Sequence, residues 1–218
     1  MLFGEDSLKG LKKELKSTGA DMGFVKGWQK DFDKVKKNSR QIEAQYTQAK
    51  QELMQVHTAL KKMEQSLIYI KEDLKSSSYR SYIKDCVRDM KKYQGSFNHE
   101  FLIGKEDKDF HLTYQTLLNL CGNDDWNARD MIILQSEVEN ILALVEEALE
   151  KEWPEYRAMA YFYLERTDKE IADLPHADKV VAVNRIYDAE FLSPMREVLN
   201  KSFGEGKAKQ ILEVDIWN

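Results

Sequence analysis

Proline and glycine are scarce in this chain, at three and ten among 218 residues. Sheets closed by tight turns draw on both, so the shortage argues against a sandwich or barrel and favours helix. Cysteine is scarcer still. Cys86 and Cys121 each sit in a helical apolar pattern, where two reduced thiols acting as small core hydrophobes are expected. No stretch approaches the roughly 20 uninterrupted apolar residues of a membrane span. The opening residues MLFGEDSLKGLKKELK hold acids where a secretory leader needs an apolar run. A soluble, cytoplasmic protein is the expectation.

Signatures of chemistry are missing as well. The chain has no HExxH and no CxxC, and its histidines, His57, His99, His111 and His176, are scattered. A di-iron helical bundle requires Glu-x-x-His steps; the nearest approach is Asp173 with His176, which reads as a solvated loop beside Pro175. Gly204-Glu205-Gly206-Lys207 lacks the spacing and the Ser/Thr of a phosphate loop, and reads as the end of a helix. The acids of GKEDKDF and GNDDWN lack the glycine and terminal Glu of a calcium loop, and read as helix caps. No nucleophile elbow is present. These residues point to no catalytic set, no metal and no cofactor, and so to a non-enzymatic protein.

What the chain does have is a period. Trp28, Phe32, Val35, Ser39, Ile42, Tyr46, Ala49, Leu53, Val56, Leu60, Met63, Leu67, Ile70 and Leu74 recur at alternating steps of four and three. A mean spacing of 3.5 keeps such a seam on one side of a helix and is the pattern of a left-handed coiled coil. Neither glycine nor proline occurs between Gly27 and Gly95, so local chemistry lets the helix run far. The flanking positions are too mixed in charge to specify a parallel homodimer, which leaves packing within the chain and between chains both open. A second seam follows at Met131, Leu134, Val138, Ile141, Val145 and Ala148, widened by Ile132, Ile133, Leu142, Leu144 and Leu149. That width implies more than one neighbour.

Boundaries follow from punctuation. Leu8, Leu11 and Leu15 predict a short amphipathic helix, and Gly19, Gly23 and Gly27 a hinge after it. Ser76, Ser77 and Ser78 predict a turn or a phase shift, beyond which Tyr79, Tyr82, Ile83, Cys86, Val87, Met90 and Tyr93 continue the stripe. Phe101, Leu102 and Ile103 anchor the following loop. A helix is then expected from near Asp107 to a stop at Gly122, with Asn123, Asp124 and Asp125 as candidate caps for the next. Pro154 should open a further helix, Thr167 with Glu170 should cap a short one, and Ser193-Pro194 should start a last one. The tail ILEVDIW fits a strand, a helical turn or a docking segment equally well. The expected fold is all-α, a long coiled-coil or helical-hairpin stalk with a compact helical bundle. Its parts are residues 1–25 (helix and hinge), 26–94 (stalk), 96–205 (bundle) and 206–218 (tail).

Charge is divided unevenly. Residues 1–95 hold 20 Lys+Arg against 13 Asp+Glu, a surplus of +7, and residues 96–218 hold 13 against 25, a deficit of -12. In the heptad frame Lys30, Lys34, Lys37 and Arg40 form a basic face away from the seam, interleaved with Asp31 and Asp33. Glu137, Glu139, Glu146, Glu147, Glu150, Glu152 and Glu155 form an acidic counterpart. Trp28 and Trp217 stand at the edges of expected order, where large rings anchor partners, whereas Trp126 and Trp153 sit beside helix ends and should pack.

The expectation is an adaptor or structural subunit of a larger complex. Its expected partner-binding residues are Trp28, Phe32, Val35, Ile42, Leu53, Leu60, Leu67 and Trp217, and its partners are proteins, a second copy among them. The alternative is nucleic acid or an anionic membrane surface bound through the basic arm.

Overall fold

The computed structural model describes residues 5–72, 77–99, 102–105, 107–123, 126–151, 155–165 and 169–217. The fold is all-α, with no strand among the described residues. Expectations placed on Leu74, Ser76, Phe101, Asp124, Asp125, Glu152, Trp153, Pro154 and Thr167 lie outside the described residues, and Leu8 has no described side chain.

Two helices open the chain, α1 (Glu5–Ser17) and α2 (Met22–Glu72, 51 residues). The expected glycine hinge is shorter than its spelling suggests. Gly19 alone among those three glycines adopts a positive φ, of 77°, while Gly23 and Gly27 lie inside α2. The reason is the start signal at Asp21, whose carboxylate accepts hydrogen bonds from the Gly23 and Phe24 amides at 2.8 and 3.2 Å. Burial of Val25 and Trp28 offsets the roughly 1 kcal/mol each glycine costs in a helix.

The chain divides into two compact units, one formed by Ala44–Trp153 and the other by Met1–Glu43 with Pro154–Asn218. The division falls within α2, which supplies side chains to both. The expected boundary at residue 95 lies inside the central unit.

That central unit is a four-helix bundle built from α2 beyond Ala44, α3 (Ser77–Lys92), α4 (Lys108–Cys121) and α5 (Ala128–Glu150). Tyr69 stacks on Tyr79 at 5.5 Å, and Ser96, in the 3-10 turn Gln94–Asn98, bonds to Glu52, so α3 runs back along α2. Phe97 meets Phe110 and Tyr114 edge-on, so α4 returns along α3. Tyr46 donates to the Lys151 carbonyl at 2.6 Å while Lys61 pairs with Glu146 at 3.2 Å, so α5 runs antiparallel to α2. The up-down-up-down order needs only short connections. From Tyr46 to Ile70 every α2 seam residue is buried, as are Met131, Leu134, Val138, Ile141, Val145 and Ala148 of α5.

Two helix ends in this unit refine the expected punctuation. Asp107 caps α4 through the Phe110 amide at 2.9 Å, as its position predicts. Gly122 does follow the last residue of α4, but with φ -73° it keeps an ordinary right-handed conformation. The cap of α5 is Asn127 and not Asn123. Asn127 accepts from the Arg129 and Asp130 amides, and Asp130 accepts in return from the Asn127 amide at 3.0 Å, a reciprocal capping box.

The terminal unit joins both ends of the chain. It holds α1, the first turns of α2, α6 (Tyr156–Glu165), α7 (Lys169–Ala172), α8 (His176–Ile186), α9 (Ser193–Phe203) and α10 (Glu205–Gln210). Ser193-Pro194 does not begin a helix after a loop. A π-helical turn, Tyr187–Leu192, carries α8 straight into α9, with the Ser193 amide bonding five residues back to Asp188. The widened turn moves carbonyls away from the ring of Pro194, which an ordinary helix interior would not tolerate. It also keeps Val183, Tyr187, Phe191, Met195 and Leu199 buried at a strict spacing of four. In a pure α-helix each such step would drift by about 40°. Beyond Gly204, at φ 83°, the tail is helical: α10 passes into a second π-helical turn, Ile211–Asp215. Of the three readings of ILEVDIW, the helical turn is the one observed.

Candidate interaction surface

The first six or so turns of α2 carry two faces with different fates. Trp28, Phe32, Val35 and Ser39 point into the terminal unit and are at most 8% exposed. Trp28 stacks between Phe32 and Phe191 at 5.1 and 5.0 Å, and its indole N–H donates to the Phe191 carbonyl at 2.8 Å. Phe32 meets Trp217 at 4.6 Å, and Tyr161 and Tyr187 complete the aromatic cluster around Phe191. Arg157 lays its guanidinium over the Trp217 ring at 4.1 Å. Burial raises the Tyr187 phenol well above its ordinary range, and its hydroxyl has no hydrogen-bond partner among the described residues.

Trp28 and Trp217, expected to reach outward for partners, are therefore brought together inside one unit although they stand 189 positions apart in the sequence. The other expected partner-binding residues are divided. Phe32 and Val35 are buried in the terminal unit, Leu53, Leu60 and Leu67 are buried in the central one, and Ile42 is half-buried. The seam is filled by this chain's own side chains.

The opposite face of α2 remains open. Lys30, Lys34, Lys37 and Arg40 are all exposed, as the heptad frame predicts. Lys26, also exposed, extends the row by one turn; the reading of Gly27 as a hinge hid it, and the Asp21 cap is the signal that recovers it. At 100° per residue these five cations fall within about 120° of arc and span about 21 Å of axis. Asp33 shares the arc, and Asp31 pairs with Lys34 at 3.4 Å. Lys36 belongs elsewhere, donating to the Ile216 carbonyl at 3.2 Å. The result is a mixed, predominantly positive strip on a rigid helix.

Acidic residues of α5 are partly engaged within the central unit. Hydrogen bonds from His57 and Lys61 hold the Glu146 carboxyl below its usual range. Trp126 packs as expected, with its indole donating to the Leu120 carbonyl at 2.9 Å. Both thiols are free and buried. Among the described residues no group of His, Cys, Asp and Glu is placed to hold a metal ion, and no helix is long and apolar enough to cross a membrane. Comparison with known proteins finds no matching family model, no similar curated protein and no similar solved structure.

Proposed function

We propose that this chain is a non-enzymatic helical adaptor, a cytoplasmic structural subunit that holds an acidic protein partner against the exposed basic strip of α2. The observation that carries the reading is the contrast between the two faces of that helix. One face is filled by the chain's own aromatic cluster, while the other leaves Lys26, Lys30, Lys34, Lys37 and Arg40 exposed on a rigid support. Rigid, pre-arranged charges steer encounter and fix register more than they add raw affinity, which suits a docking surface.

An anionic polymer or membrane could use the same lysines, but the strip is interleaved with Asp31 and Asp33 and carries a single arginine. Alternating charge favours the mixed surface of a folded protein over an unbroken row of phosphates.

The test is crosslinking with mass spectrometry on the intact chain and on K30E/K34E/K37E/R40E. The expected result is a protein partner whose acidic residues crosslink to positions 26–40 in the unaltered chain, and loss of those crosslinks in the variant. Retention of the partner by the variant would overturn the reading. So would tighter binding of an oligonucleotide or anionic vesicle, with an affinity falling steeply in salt and lost in the same variant.

A further inference from the structure

The adaptor reading uses the first turns of α2 and leaves its longer stretch, in the central unit, without an assigned surface. Between Lys26 and Arg40 the exposed residues of α2 include five cations and Asp33, whereas from Ala44 to Ile70 only Lys62 is charged among the exposed ones. The other charges of that stretch are half-buried and engaged within the unit. Lys50 donates to the Lys151 carbonyl at 3.5 Å, Glu52 accepts from Ser96, His57 bonds to Glu146 at 3.0 Å, and Lys61 pairs with Glu64 and Glu146 at 3.7 and 3.2 Å. What faces water is neutral: Ala44, Thr47, Gln51, Met54, Thr58, Gln65 and Ile68, with Met54 and Ile68 54% and 56% exposed. With Lys61 between Thr58 and Gln65, these positions recur at steps of three and four. They form a second seam, on the side of the helix away from the buried one.

We infer that this outer seam is the interface of a reversible antiparallel dimer, in which α2 of one copy lies along α2 of a second. The inference goes beyond the adaptor reading, which concerns another part of the helix. A two-fold contact sets a face against itself, so a charge on it tends to meet its like. A face with one exposed charge avoids that cost, and Gln and Thr, each both donor and acceptor, bond to their own kind. Direction follows from the positions. A parallel pair would set Lys61 against Lys61. An antiparallel pair centred between Met54 and Thr58 sets Met54 against Thr58, Gln51 against Lys61, Thr47 against Gln65 and Ala44 against Ile68, and holds the two copies of Lys62 about 18 Å apart along the axis.

The borders of the seam fit the same role. On the α3 side stand Tyr82, 42% exposed, and Asp89 with Lys92, which pair at 2.7 Å; on the α5 side stands Glu146, held by His57 and Lys61. A neutral centre inside a charged rim is the anatomy of a protein interface. The seam is about 36 Å long and one helix wide, which gives roughly 360 Å² per copy from α2, the low end of specific contacts, so the pair should dissociate readily. A face with one exposed cation offers little to an anionic polymer.

The experiment follows the mass of the full chain by sedimentation velocity between about 1 and 500 μM, where a shift from monomer to dimer is expected. M54E/T58E sets carboxylates against one another at the dimer centre and should weaken association by at least about ten-fold, with helical circular dichroism unchanged; M54K/T58K should do the same. Mixing these two variants should restore the dimer, because acid then faces base, and misfolding would allow no such rescue. A short bismaleimide should link T47C to Q65C in a mixture and neither variant to itself, since the two copies of position 47 stand about 27 Å apart in the antiparallel pair. The native thiols, Cys86 and Cys121, are buried and should stay silent. K30E/K34E/K37E/R40E should dimerise normally, which separates failure of this interface from failure of the α2 strip. A chain that stays monomeric throughout would overturn the inference and leave the seam to a foreign partner. Dimerisation that M54E/T58E leaves intact, no recovery on mixing, or T47C linked to itself would each overturn it as well.

Discussion

The central unit closes on neighbours in sequence, whereas the terminal unit closes on its two ends. In the first, four helices that follow one another in the sequence meet around a largely aliphatic core. In the second, Trp28 bonds to Phe191, Thr18 to Ser202 and Lys36 to Ile216, pairs separated by 163, 184 and 180 positions. Loop closure over such separations must be met before any contact rewards it, so the terminal unit should form later and open first. Its core compensates with large stacked rings, each burying more apolar surface than an aliphatic side chain.

The strongest way to break that comparison is Trp28→Ala. It removes two ring stacks and a buried hydrogen bond, and should cost about 3–5 kcal/mol in denaturant unfolding. Hydrogen exchange should show the loss in α6, α8 and α9 with protection kept in α3 to α5; uniform loss would mean that the units unfold as one. Leu60→Ala is the counterpart in the central core, fully buried and expected to cost about 2–4 kcal/mol, with the pattern of lost protection reversed. Asn127→Ala removes the capping box of α5 and should cost about 1 kcal/mol, again confined to the central unit.

The smallest effect concerns pH. The Glu146 carboxyl is held below its ordinary value by His57 and Lys61, so its contribution is present above the unfolded value near 4.5 and is lost as pH falls through the lower folded value. Glu146→Gln should therefore reduce stability slightly at neutral pH and flatten the acid limb of a thermal-melt series. An unchanged acid limb would remove Glu146 from the account.

The seam was legible because a helix repeats locally: thirteen described positions from Trp28 to Ile70 follow the four-three rhythm, and all are buried except half-buried Ile42. Local rules also gave the Asp107 cap and the basic face. The Asn127 capping box was written in Asn127 and Asp130, three apart, but the acids just before them drew attention first. Trp28 and Trp217 show what local reading cannot reach. Their shared burial depends on where 188 intervening positions carry the second ring, and no periodicity encodes that. The π-helical turn was hidden for a different reason, since a spacing of four from Val183 to Leu199 mimics an ordinary amphipathic helix.

That wide turn behaves as a gear tooth in the last long run of helix. Straightening it to ordinary winding at full length would swing everything downstream by about 100°, turning Met195 and Leu199 toward water, whereas removing one residue between Tyr187 and Leu192 as well would leave both facing the core. Losing a residue at the exposed, positive-φ step of Gly204 would leave those side chains where they are. The chain should thus bear the loss of one residue at either step, while the same loss from the ordinary winding of α9 would turn its buried row outward.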